Sequence, residues 1–310
     1  MLETVELGKS FKGNTAVDNV SLYLEQGESV GLIGPNGAGK STTISIISTL
    51  LLPTHGDVRL HGKSVIKHPQ HIRQVLGVVP QEIALYEELS AYENLLFFGR
   101  LYKLKQPLLD RKIQELLELV GLRDRQKEQI KTYSGGMKRR INIAAALLHD
   151  PQLVIMDEPT VGIDPQSRSH ILETVRLLNR EKGTTVLYTS HYMEEVEQLC
   201  DRMYIMDHGK VIASGTKEEL ARILSNEDTI SLQLDVNKAA LTEEISRMEP
   251  VRQVEETKQG LKLIVDRQSR ILSGVVQCAE RHGVQLISMN VHTPSLEDVF
   301  LHLTGRTLRD

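Results

Sequence analysis

Short stretches of alternating apolar and polar residues open the chain, and "AVDNVSLYL" (16–24) shows the pattern in part. "GESVGLIG" (27–34) is continuously apolar at its centre and runs into a glycine-rich loop, which predicts a strand buried on both faces. From there the rhythm turns helical. "TTISIISTLLLP" predicts a helix from about Lys40 or Thr42 that stops at Pro53. Between 82 and 131, "ELSAYENLLFFGRLYKL" and "LLDRKIQELLELVGL" carry apolar residues three and four apart, with Gly121 placed to cap the second helix. A helix "MKRRINIAAALL" comes next, then the apolar strand "PQLVIMDEP" and a helix over 166–182. The strand "TTVLYTS", the helix "YMEEVEQLC" and the strand "RMYIMDHG" complete this part. Strands that alternate with helices predict a mostly parallel sheet.

The pattern changes at about residue 225. "TISLQLDV" alternates Ile230, Leu232, Leu234 and Val236. The helix "KAALTEEISRM", the strands "VRQVEE" and "LKLIV" joined near Gly260, the helix "ILSGVVQCAERH" and the strand "VQLISMNV" follow. This β-α-β-β-α-β order predicts a small ferredoxin-like α+β domain. Ser295 and Asp298 have capping-box spacing ahead of a last helix. The expected domains are 1–220, with a helical subdomain at about 82–150, and 225–310.

Composition narrows the function classes. The 310 residues are 40% hydrophobic and 25% charged, as in an ordinary globular chain, and the net charge of −4 argues against nucleic acid as the main partner. Cys200 and Cys278 form no disulfide framework, and His282, His292 and His302 show no ligand-like spacing with a carboxylate or thiol. A reducing cytosol is expected. No apolar run approaches the ~18 residues of a membrane span. A membrane role would therefore need another chain to cross the bilayer.

The chemistry concentrates at strand ends. "GPNGAGKS" fits the phosphate-binding pattern G-x-x-x-x-G-K-[ST] and supplies Gly34, Pro35, Asn36, Gly37, Ala38, Gly39, Lys40 and Ser41, with Thr42 next. The glycines let backbone wrap a triphosphate, Lys40 reaches its β- and γ-phosphates, and Ser41 offers Mg²⁺ a hydroxyl. "LVIMDEP" ends in Asp157, suited to a Mg²⁺ shell, and Glu158, suited to orient and deprotonate water. Adjacent strand residues face opposite ways, so the chain must turn there, and Pro159 is consistent with that. His191 and Gln81 each follow another apolar run. "TYSGGMKRR" (132–140) adds a second anion-suited turn, Ser134-Gly135-Gly136 ahead of a helix.

Taken together over residues 1–220, these motifs resemble the ATP-binding subunit of ABC transporters. The resemblance implies a P-loop ABC ATPase fold, ATP and Mg²⁺ as cofactors, and Phe11 as the ring that stacks on adenine. It implies that Gln81 touches Mg²⁺ and senses the membrane partner, that "YSGGM" is the family signature, that "VIMDE" is Walker B, and that His191 is the switch histidine. "VGID" with Asp164 resembles the D-loop. It also explains the second anion site: Ser134, Gly135 and Gly136 would bind the γ-phosphate held by the P-loop of another copy, in a homodimer that sandwiches two ATP molecules. Tyr133 and Met137 depart from the commonest Leu-Ser-Gly-Gly-Gln signature, and Phe11 stands in for a tyrosine.

Tyr86, Tyr92, Phe97, Phe98 and Tyr102 hold five of the twelve Phe and Tyr residues, and they read either as core or as a groove for a membrane subunit. "TPSLEDVFLHLTGR" is similar to the tail of daunorubicin-type drug-resistance exporters. That likeness implies export of a lipophilic compound, such as a polyketide antibiotic, through two separately encoded membrane subunits, with the chain on the inner face of the cell membrane. Sodium, lipid or polysaccharide cargo stays open. Two rivals remain, a soluble ABC ATPase acting on DNA or ribosomes and a non-hydrolysing switch. Only 117 positions (157 − 40) separate Lys40 from Asp157, with no heptad run, and the chain has one P-loop. Both facts disfavour the first rival, and Glu158 and His191 speak against the second.

Overall fold

The computed structural model describes residues 1–190, 192–223, 227–236, 239–257, 260–266, 269, 271–292 and 295–305. His191 lies outside the described residues. The chain divides into two compact units, one built on Met1–Lys217 and the other on Glu218–His302.

The first unit starts with β1 (Leu2–Phe11), β2 (Asn14–Val20) and β3 (Tyr23–Leu24). Next, β4 (Ser29–Ile33) leads through the glycine-rich loop into α1 (Lys40–Ile47). The chain then forms β5 (His55–Leu60), β6 (Lys63–Ser64), α2 (Pro69–Arg73) and β7 (Leu76–Val79). The helices α3 (Ala91–Leu101), α4 (Leu108–Leu119) and α5 (Gly135–Ala146) make the helix-rich middle. After them come β8 (Leu153–Met156), α6 (Pro165–Arg180), β9 (Thr185–Thr189), α7 (Met193–Leu199), β10 (Arg202–Asp207) and β11 (Lys210–Gly215), and α8 (Lys217–Ala221) starts at this unit's last residue before the boundary.

Two sheets share one core. β1, β2, β3, β5 and β6 form an antiparallel sheet, and the second sheet has the order β11-β10-β4-β9-β8-β7. In the second, β10, β4, β9, β8 and β7 all run parallel. Their central members are buried along their whole length, which accounts for the unbroken apolar runs. Parallel pairing also brings the carboxyl ends of β4, β7, β8 and β9 to one edge, where ligands bind in open α/β sheets.

One boundary differs from the sequence expectation. α1 ends at Ile47 rather than running to Pro53. Thr49 adopts a left-handed φ of 58°, and the Leu50 N–H turns back to the Ser45 carbonyl at 2.9 Å. Leu50 and Leu52 are left exposed. Gly121 does close α4, with φ 64° and the Leu122 N–H on the Leu117 carbonyl.

The aromatic group does not form a single patch. Tyr86, Phe97 and Phe98 pack ring on ring, with centroids 4.9, 5.4 and 6.3 Å apart, and Tyr86 and Phe97 are exposed. Tyr92 donates instead to Asp110. Tyr102 stacks on His149 at 3.8 Å. His149 Nε2 lies 3.0 Å from the Leu76 carbonyl, so it carries the proton, and Nδ1 is buried without a partner. Burial pulls His149 below its ordinary 6.5, against smaller upward pulls from the Leu76 carbonyl and Asp150. The unfolded chain thus takes up this proton before the folded one does. Stability from this site is full above pH 6.5 and declines as pH falls toward the lower folded value. The urea midpoint should drop between about pH 7.5 and about pH 5.5, and less so in His149→Gln.

The second unit holds β12 (Glu227–Leu234), α9 (Ala239–Ser246), β13 (Val251–Thr257), β14 (Gly260–Asp266), α10 (Leu272–Arg281) and β15 (Leu286–His292), followed by α11 (Leu296–Thr304). Its antiparallel order β13-β14-β12-β15 is the ferredoxin-like arrangement. Ile230, Leu232 and Leu234 point into a core with Leu241, Leu263 and Val275, whereas Val236 is exposed. Ser295 and Asp298 exchange both bonds of the capping box.

One expectation for this unit fails. Cys278 and His282 lie four apart at the end of α10, and Glu244 of α9 joins them, with donor atoms within 4.8 Å of one another. Both Glu244 oxygens are taken, Oε2 by His282 at 2.6 Å and Oε1 by Arg281 at 2.7 Å. The His282 bond holds the Glu244 carboxyl below its usual range, while burial pushes the Cys278 thiol up. The cluster is an ion-paired lock between two helices.

Candidate active site

The loop between β4 and α1 is shaped by what surrounds it. Gly39, at φ 100°, precedes α1, and a Cβ there would stand 2.4 Å from the Ala16 carbonyl. A Cβ on Gly34 would meet the Met206 carbonyl at 2.4 Å. No side chain caps α1, and no acid sits in its first turn. Such a helix start leaves its N–H groups for an anion. Lys40 is buried, and its Nζ donates to the Gly34 carbonyl at 2.7 Å and the Pro35 carbonyl at 3.2 Å. Burial lowers its pKa, and the negative charges of Glu158 and Asp157 offset part of that shift. A buried ammonium held by neutral carbonyls fits a site built to receive phosphate.

The turn after β8 carries the two acids. Glu158 has a left-handed φ of 50°, which is the turn that adjacent residues need to serve one edge. Gln81, just past β7, donates from Nε2 to Glu158 Oε2 at 2.8 Å. Thr189, the last residue of β9, accepts from the Glu158 N–H at 2.8 Å and donates to Asp157 Oδ1 at 2.8 Å. Its hydroxyl therefore fixes the Glu158 backbone and the Asp157 carboxylate together. Nothing local in the sequence marks Thr189, because its role depends on the β8–β9 pairing.

A cavity of about 300 Å³ results. Asn36 to Thr42 line it with Ala16 of β2, Gln81 and Glu158. Phe11 is exposed at the end of β1, with Lys9 Nζ 5.1 Å from its ring, and is not among the lining residues. Ser134, Gly135, Gly136 and Asp164 do not line it either. They form a second group. Ser134 caps α5 by accepting from the Met137 N–H at 3.3 Å, so its own proton stays available to an acceptor. Asp164 caps α6 through the Ser167 N–H at 2.9 Å.

The two signature glycines have different reasons to be glycine. A Cβ on Gly136 would press on Ser167 Oγ at 2.2 Å and Asp164 Oδ2 at 3.0 Å. On Gly135 it would meet only Ile163 at 3.9 Å, an ordinary contact. Close packing against α6 therefore gives Gly136 its own reason to be glycine, beside the expected approach to phosphate. Inside this chain Gly135 needs no such room.

The model of the ABC transporter family matches residues 17–161. The linearmycin resistance ATP-binding protein LnrL of Bacillus subtilis is 48% identical, and the alignment covers 100% of both chains. The chain belongs to the ABC transporter ATP-binding family. The daunorubicin/doxorubicin resistance ATP-binding protein DrrA of Streptomyces peucetius is 37% identical over 100% of this chain and 94% of its own. Among solved structures, the dimeric post-hydrolysis state of the ATP-binding cassette MJ0796 bound to ADP and Pi matches with TM-score 0.65 and 27% identity. That match covers 70% of this chain and 98% of the cassette. This ABC chain is thus an ATP-binding, ATP-hydrolysing subunit homologous to drug-resistance exporter ATPases. Among its described residues, no helix is long and apolar enough to cross a membrane.

Proposed function

We propose that this subunit works as a homodimer on the inner face of the cell membrane and drives two separately encoded permease subunits that export a lipophilic compound. The supporting observation is the single cavity that gathers the P-loop, Gln81 and Glu158 from three strand ends, while the capped turn at Ser134 stands apart from it. In this reading Lys40 and the α1 N-terminus hold the triphosphate, Glu158 activates water, and His191 contacts the γ-phosphate. Ser41, Gln81 and Asp157 would hold Mg²⁺, which supplies charge neutralisation on the phosphates. Ser134, Gly135, Gly136 and Asp164 would complete the pocket of the second copy, and Phe11 would stack on adenine.

The 48% identity to a linearmycin resistance protein favours an antibiotic as cargo. Inside-out vesicles carrying the subunit and its permeases should take up linearmycin when ATP is added and stop with Glu158→Gln. ATP turnover without any such uptake would refute this cargo.

Coupling to the permease has its own test. The exposed Tyr86 and Phe97 rings, with Phe98, offer an apolar surface just after Gln81. Tyr86→Ala or Phe98→Ala should weaken permease-stimulated turnover while ATP affinity holds. Equal loss of both would assign these rings to the core.

A further inference from the structure

Glu195, in the first turn of α7, is a buried acid that the reading above leaves without a task. Three hydroxyls converge on its Oε2: Thr160 Oγ1 at 2.8 Å, Tyr188 OH at 2.9 Å and Ser190 Oγ at 2.6 Å. Its Oε1 has no hydrogen-bond partner and faces Arg168 Nε at 3.6 Å, an atom that also makes no hydrogen bond. The Arg168 guanidinium lies over the Tyr192 ring at 4.0 Å. A buried carboxylate is held by what bonds to it, and here that is the three hydroxyls, with Arg168 beside them.

The donors come from the segments that hydrolysis would use. Thr160 is two residues past Glu158. Ser190 precedes His191, and its Oγ also accepts the Tyr192 N–H at 2.9 Å, so both neighbours of His191 are tied to this knot. Arg168 sits one turn into α6, its N–H on the carbonyl of Asp164. One carboxylate thus links the turn after β8, the segment after β9 and the start of α6.

We propose that Glu195 is a positioning residue for ATP hydrolysis. Its negative oxygen gathers the three hydroxyls and so holds the Glu158 turn in register with the segment that carries His191. Arg168 adds the loop at Asp164 to the same register. This inference rests on the proposed roles of Glu158 and His191.

The test uses the full chain with its permeases. Glu195→Gln keeps the size and removes the charge, and Ser190→Ala removes one donor. Each should lower kcat at least about tenfold, toward the ~100-fold that a ~1 Å misplacement costs, with the Kd for ATP and the Tm near wild type. The double variant should cost much less than the product of the two single losses. A kcat near wild type in folded Glu195→Gln overturns the proposal. So does a parallel loss of kcat, ATP affinity and Tm, which marks a structural role. If Glu195→Gln fails to fold, Ser190→Ala and Thr160→Val decide by the same criteria. Wild-type turnover and the behaviour of Glu158→Gln check the underlying reading separately.

Discussion

Glu158→Gln should lose about 10²- to 10⁴-fold in ATP turnover while it still binds ATP, the range for removal of a general base. The substitution is nearly isosteric. Its side-chain carbonyl can still accept the Gln81 bond, and the backbone N–H that Thr189 receives is untouched. What disappears is the carboxylate that, in the proposed role, would take a proton from water. With hydrolysis blocked and ATP retained, the two copies should remain closed around the nucleotide. Light scattering at saturating ATP and Mg²⁺ should report a dimer. A monomer under those conditions, without the permeases, would count against the sandwich, and turnover near wild type would count against Glu158 as the base.

The second large effect comes from mixing two dead chains. Lys40→Ala removes the buried ammonium beside the phosphate loop, and Ser134→Ala removes the hydroxyl that the second copy would use. Each variant alone should be inactive. In a two-fold symmetric pair every pocket takes Lys40 from one chain and Ser134 from the other. A mixed pair therefore has one intact pocket and one that lacks both groups. Random pairing makes about half the dimers mixed, so turnover should return to about a quarter of wild type if the pockets act independently. No recovery in verified mixed pairs within an assembled complex would remove the shared site.

Much of the fold could be read from local pattern. A strand buried on both faces announces itself as an apolar run, and "GPNGAGKS" prescribes its own loop because each residue acts on its neighbours. The two acids after β8 and the need for a turn between them were legible for the same reason. The misses share a different cause. α1 stops at a left-handed Thr49, a residue type that gives no warning of it. Thr189 reaches Asp157 across 32 positions, and Thr160 reaches Glu195 across 35. Such pairs meet only after the sheet has formed, and nothing near either residue records the meeting. The packing of Gly136 against Ser167 was hidden for the same reason, since β8 lies between them in the sequence.

The left-handed backbone at Glu158 sets the direction in which its side chain leaves the chain beside that of Asp157. Holding a side-chain-bearing residue there costs roughly 1–2 kcal/mol whatever fills the pocket. In return, a single stiff peptide unit separates the two residues, and one threonine hydroxyl bonds the backbone of Glu158 and the carboxylate of Asp157. The Glu158 backbone and the Asp157 carboxylate are thus mounted on the same hydroxyl. Under the proposed roles, that shared mounting would keep the metal ligand and the base aligned from one turnover to the next.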